Sequence, residues 1–147
     1  MNPRPVLHLV SFLLMVLGAA MLSCVGVGWM HGDPASVLWG MALAAALTMA
    51  GGIVMWATTR HEMELSTRDG IGVVTFGWLA ACLAGSLPYL LTQSTPAFVD
   101  ALFETVSGLT TTGASIIPDP SLLPRSVLFW RALTSFFGGM GLSLIHI

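Results

Sequence analysis

Three apolar runs, at residues 6–30, 37–58 and 71–91, decide what this chain can fold into. Each can carry an α-helix through a bilayer core, which takes about 20 predominantly apolar residues. Little else is available to face water. Of 147 residues, 55% are hydrophobic and 8% are charged, where a soluble domain carries about 25% charged residues. The mean hydropathy is +0.85. The expected fold is an all-α membrane protein.

The few charges sit mostly between the runs. Lysine is absent and the five arginines form no basic patch, so nucleic acid is not an expected partner. Cys24 and Cys82 lie inside apolar runs and read as free thiols, and no CxxC or His/Cys cluster points to a metal site. The first run could pass for a signal peptide, with Met21-Leu22-Ser23-Cys24 resembling a lipoprotein cleavage site. Residues 25–30 stay apolar where a mature lipoprotein would turn polar, which favours a retained helix. Gly32 and Pro34 punctuate its end. The second run is rich in small residues such as Gly40, Ala44, Gly51 and Gly52, which let helices approach closely in lipid. Residues 60–70 are the most polar stretch, with Arg60, His61, Glu62, Glu64, Arg68 and Asp69, and read as a solvated loop. Short Arg-bearing segments favour the cytoplasm. Two spans separate Arg4 from the Arg60/Arg68 segment, so both fall on that side and the N-terminus is expected to be cytoplasmic. Pro88 falls in the last turns of the third run, and residues 92–95 read as a polar turn on the outer side.

Residues 96–109 differ in kind. They are too short to cross a core of about 30 Å at about 1.5 Å per residue. Thr95 is the expected N-cap and Pro96 the first helical position. Phe98, Ala101, Leu102, Thr105 and Leu109 mark one broad face, and Asp100 falls near the helix N-terminus, where a negative charge is favoured. The pattern predicts a re-entrant helix that stops at Thr110-Thr111-Thr112-Gly113. Irregular backbone at membrane depth is tolerated only against protein or a wet cavity.

In a soluble protein, Thr-Thr-Thr-Gly would be a strand end or a turn. Flanked by a span, a half-length helix and a further span, it reads as an ion filter. Carbonyls turned towards one axis replace the hydration shell of a potassium ion. Gly113 tolerates φ > 0, and the C-terminal end of the short helix, worth about −0.5 elementary charge, stabilises a dehydrated cation. The expected ligands are the backbone carbonyls of Thr110, Thr111, Thr112 and Gly113, with K+ as the transported ion and no organic cofactor. The Thr hydroxyls add a ligand at the inner end or pack behind the loop. Pro118, Pro120 and Pro124 keep the return segment extended or turned, and a last helix begins near Ser126.

Four stretches resemble a known family. They are Glu-Leu-Ser-Thr-Arg-Asp-Gly at 64–70, Gly-Ser-Leu-Pro at 85–88, the segment 100–114 that carries the threonines, and Trp-Arg-Ala with Phe-Phe-Gly-Gly-Met-Gly within 130–141. They look like the membrane subunit of bacterial Trk potassium-uptake systems (TrkH/TrkG), within the Trk/Ktr/HKT superfamily. The resemblance implies two N-terminal helices, residues 1–69 with their cytoplasmic loop, then the first of four helix–pore-helix–filter loop–helix repeats, residues 70–147. It implies potassium uptake by symport or channel across the bacterial inner membrane, a homodimer, and a cytoplasmic nucleotide-binding regulator of TrkA type. This chain would supply one quarter of the filter. After Gly141 the family continues with a long apolar stretch, whereas this chain reads Leu-Ser-Leu-Ile-His-Ile, which resembles translated adaptor sequence. A fragment with a truncated last helix is expected, and His146 is not expected to be a site.

Among supporting residues, Glu104 lies four residues after Asp100 on the same helix face. It either draws cations to the pore mouth or pairs with Arg131. The alternative for Arg131 is to snorkel to the outer interface. An unpaired charge at membrane depth costs about 2.5–3.5 kcal/mol, which favours pairing. Gly138, Gly139 and Gly141 read equally as a close helix contact or a bend. The five tryptophans fit mostly interfacial or lipid-facing positions. Two other functions compete with this one: a homotetrameric potassium channel built from four copies, and a non-conducting membrane assembly protein. No base, nucleophile and orienting group converge, so an enzyme is not expected.

Overall fold

The computed structural model describes residues 3–59 and 67–144. Among them the order is α1 (Pro3–His31), α2 (Ala35–Thr58), α3 (Thr67–Leu91), α4 (Phe98–Leu109), a 3-10 turn at Pro120–Leu122 and α5 (Arg125–Leu144). Helices α1, α2 and α3 are long and apolar enough to cross a membrane. The three apolar runs thus form the three helices expected of them. Arg60, His61, Glu62, Glu64 and His146 lie outside the described residues.

The first two helices form an antiparallel pair. Gly32 takes a left-handed φ of 76°, and the N–H groups of Gly32 and Asp33 turn back to the carbonyls of Trp29 and Gly28. This closure satisfies carbonyls that a helix end leaves orphaned. At the far end, His8 and Thr59 hydrogen-bond side chain to side chain at 3.2 Å. The start of α1 and the end of α2 therefore share one side. The buried face of α2 is Val37, Gly40, Met41, Ala44, Ala45, Thr48 and Gly52, the spacing of one helical stripe. Small residues on it let neighbours close in, as lipid offers no hydrophobic drive between helices. A Cβ added at Gly52 would lie 2.9 Å from the carbonyl of Ser11.

Helix α3 starts at Thr67, four residues before the apolar run. Asp69, expected in a solvated loop, sits in the first turn and is buried. A carboxylate there faces the positive end of the helix dipole. Near the other end, Pro88 has no N–H for the helical ladder, and Trp130 of α5 donates its indole N–H to the Gly85 carbonyl at 3.0 Å. Trp130 is fully buried, so it departs from the interfacial positions expected for most tryptophans. Its partner across the helix interface is what draws it inward. Trp29 and Trp39, each 76% exposed, keep outward positions. Cys24 and Cys82 are free thiols.

Candidate ion-filter loop

Helix α4 has 12 residues, about 18 Å of helix, roughly half a bilayer core. Its start differs from expectation. The N-cap is Ala97, in an extended conformation and without a side-chain cap, while the Thr95 hydroxyl is buried with no hydrogen-bond partner. With the helix beginning at Phe98, Thr95 stands too far upstream to reach its free N–H groups. Asp100 lies in the first turn. The buried face also differs from the apolar one anticipated. Ala101, Thr105 and Leu109 are buried, but so are Glu104, Ser107 and Gly108, whereas Phe98 is 48% exposed. The polar side is inward because α3, α5 and the loop all meet it there.

Three glycine contacts seat the helix. A Cβ at Gly85 of α3 would come within 2.7 Å of the Thr105 methyl, and one at Gly108 within 2.5 Å of the Thr134 hydroxyl of α5. One at Gly138 of α5 would collide with the carbonyl of Leu109. Of the two readings open for Gly138, the structure shows close contact. That contact lies thirteen residues beyond the start of α5 at Arg125, about 20 Å along the axis. The end of α4 is thus held well below the start of α5.

The start of α5 is fixed from a distance. Asp33, in the α1–α2 turn, accepts from the Arg125 N–H at 3.0 Å, the Ser126 N–H at 2.8 Å and the Ser126 hydroxyl at 2.7 Å. Partial burial alone would raise the Asp33 pKa, but the bonds from Ser126 and Arg125 outweigh it and hold the carboxyl below its ordinary value.

At its C-terminus α4 closes into the threonine run. Thr110 is the C-cap, and its N–H and hydroxyl both reach the Val106 carbonyl. Thr111 adopts a left-handed φ of 56°, unusual for a β-branched residue and strained. The Thr111 N–H turns to Gly108, and those of Thr112 and Gly113 to Ser107. Gly113 has φ 74°, the conformation anticipated for it. All four N–H groups of residues 110–113 thus point back to the helix. Among the described residues, no hydrogen bond is donated to their four carbonyls. The run is exposed and non-helical. Thr110 and Thr112 hydroxyls bond each other at 2.8 Å, and the Ser107 hydroxyl holds the Ala114 carbonyl at 2.5 Å.

Glu104 joins three elements. One carboxylate oxygen accepts from the Ser115 hydroxyl at 2.7 Å and the Ile116 N–H at 2.8 Å. The other pairs with Arg131 of α5. The side chain of Glu104 is 1% exposed and that of Arg131 22%, so the charge is committed inward and Arg131 braces α4. Asp100, one turn earlier, does not join this network. Sequence reasoning missed Ser115, Ile116 and Asp33. Only an acidic residue beside a turn was visible for the last, and nothing marked its partner.

This arrangement has close relatives. The family model described as TrkH, cation transport protein, matches residues 40–145. The Trk system potassium uptake protein TrkH of Vibrio parahaemolyticus is 34% identical over 148 residues, covering 100% of this chain and 30% of the relative. The Trk system potassium uptake protein TrkG of Escherichia coli K12 is 32% identical over 146 residues, covering 98% and 30%. The crystal structure of the potassium transporter TrkH from Vibrio parahaemolyticus superposes with a TM-score of 0.88 at 34% identity, over 96% of this chain and 30% of that one. The chain spans about 30% of the length of the relatives it matches.

Proposed function

The chain belongs to the TrkH family of cation transport proteins, transporters rather than enzymes, and from that premise we propose that it is part of a potassium-uptake protein of the bacterial inner membrane. Helices α1 and α2 form the N-terminal pair, and the chain from α3 onward, whose first turn begins at Thr67, forms the first pore repeat. Thr110, Thr111, Thr112 and Gly113 supply one quarter of a carbonyl-lined filter, the remainder coming from further repeats.

The observation that carries this reading is the direction of the backbone. With the N–H groups of 110–113 turned back to α4, the carbonyls are left to face whatever the exposed side of the loop encloses. A dehydrated potassium ion needs such a row of oxygens. The end of α4, with its partial negative charge, adds to the potential there. Glu104 and Arg131 hold the outgoing limb and α5 in register behind it, and Asp100 faces the entry side at the start of α4.

The side of the membrane follows from charge. The start of α1 and the end of α2 lie together. Arg4, Arg60 and Arg68 flank that side, whereas only Arg125 flanks the other. Cytoplasmic loops collect arginine, so the N-terminus is cytoplasmic and α4 enters from outside. Two partners follow from the family: a second copy in a homodimer, and a nucleotide-binding regulator of TrkA type on the cytoplasmic face.

The test is flux through the complete protein in liposomes. Potassium should pass in preference to sodium, and Thr112→Trp should abolish the preference. Equal passage of both ions through the wild-type protein would show the filter assignment to be wrong.

A further inference from the structure

Helices α3, α4 and α5 and the outgoing limb of the loop line an open-sided pocket of about 210 Å³ whose wall is part polar and part apolar. Tyr89, Glu104, Arg131, Gly113 and Ala114 are among its lining residues. Tyr89 is fully buried, yet its hydroxyl has no hydrogen-bond partner. Arg131 has five N–H donors; it pairs with Glu104 and lies near the Tyr89 hydroxyl. Ser107, also on the wall, gives its proton to the Ala114 carbonyl and keeps acceptor capacity.

We propose that this pocket holds ordered water that links the Tyr89 hydroxyl and the Arg131 guanidinium to the Gly113–Ala114 limb, making Tyr89 a positioning residue for the filter loop. A buried phenol hydroxyl is rarely left unpaired; the Arg131 guanidinium lies near enough to interact with this one, but no protein atom meets it in hydrogen-bond geometry. The space far exceeds the ~10–15 Å³ that one water needs. A phenol that both donates and accepts, guanidinium donors and a serine oxygen together supply the two to four partners that hold a buried water. Apolar cavities stay dry, but this wall carries an ion pair. The link runs from α3 to the limb, a connection that no direct hydrogen bond of Tyr89 provides.

The positioning role rests on residues 110–113 being an ion filter, whereas the water does not. Two measurements on the complete protein in liposomes keep them apart. X-ray-generated hydroxyl radicals from 18O-labelled water mark side chains that touch bound water. Tyr89 should take up label well above Trp130, which is equally buried but bonded to the Gly85 carbonyl. Tyr89 labelled no more than Trp130 overturns the water site. Separately, Tyr89→Phe should lower the preference for potassium over sodium about three- to tenfold, the size of one lost hydrogen bond, with the helical content by circular dichroism unchanged. An unchanged preference in that variant overturns the positioning role. Should the wild-type protein show no preference at all, the filter reading fails while the labelling still decides the water.

Discussion

Gly138 of α5 lies directly against the main-chain carbonyl of Leu109, the last residue of α4. No side chain fits between them. Gly138→Val should therefore push the end of α4 and the threonine run out of place. The expected result is a loss of potassium flux together with destabilisation of about 1–3 kcal/mol or more, as in other overpacked contacts. Thermal melting in detergent and flux in liposomes measure the two. Gly139→Ala is the control. A Cβ there meets only the Thr111 methyl, at 3.9 Å, and should be tolerated.

Glu104→Gln should be among the most damaging single changes. It removes the charge that Arg131, Ser115 and the Ile116 N–H all meet. Breaking a buried pair costs about 3–5 kcal/mol, and the partial exposure of Arg131 places this one at the lower end. Combining it with Arg131→Met should cost less than the two single changes added together, because the second change removes the stranded charge. Additive melting shifts would show that the pair does not act as a unit.

Asp33 predicts an acid sensitivity. Its carboxyl titrates below its ordinary value of 3.8 in the folded protein. The stabilisation is therefore fully present above that ordinary value and disappears as pH falls through the lower, native one. Asp33→Ala should lower stability at neutral pH by about 0.5–2 kcal/mol, the size of a lost helix cap. The gap between wild type and variant should then close in acid. A gap that stays constant or widens as pH drops would contradict the role given to this cap.

Gly113 separates backbone from packing. A Cβ at this position meets nothing within 4 Å, yet φ is 74°. Within this chain the effect of Gly113→Ala comes from conformation, at about 1–2 kcal/mol. Potassium preference should fall while the helices stay intact by circular dichroism. A variant with wild-type preference would mean that the left-handed turn is dispensable.

Much of this was legible in the sequence because it rests on local rules. Long apolar runs gave α1, α2 and α3, and Gly32 with Pro34 gave the turn between the first two. The brevity of 96–109 marked a helix that cannot span. What was hidden depends on partners far along the chain. The bonds of Asp33 reach residues about 92 positions away, and no periodicity announces them. Trp130 reads as an interfacial residue until Gly85 is seen to accept its proton. Thr111 is a poor candidate for a left-handed φ by residue type, and the fold around the end of α4 imposes it. Thr95 and Pro96 form a helix start by local rule, but α4 begins at Phe98.

The most direct test is to locate the ion. Crystals of the complete protein grown with thallium in place of potassium should give anomalous density in contact with the carbonyl oxygens of Thr110, Thr111, Thr112 and Gly113. Ordered thallium found only elsewhere along the conduction path, with those four carbonyls turned away from it, would contradict the account.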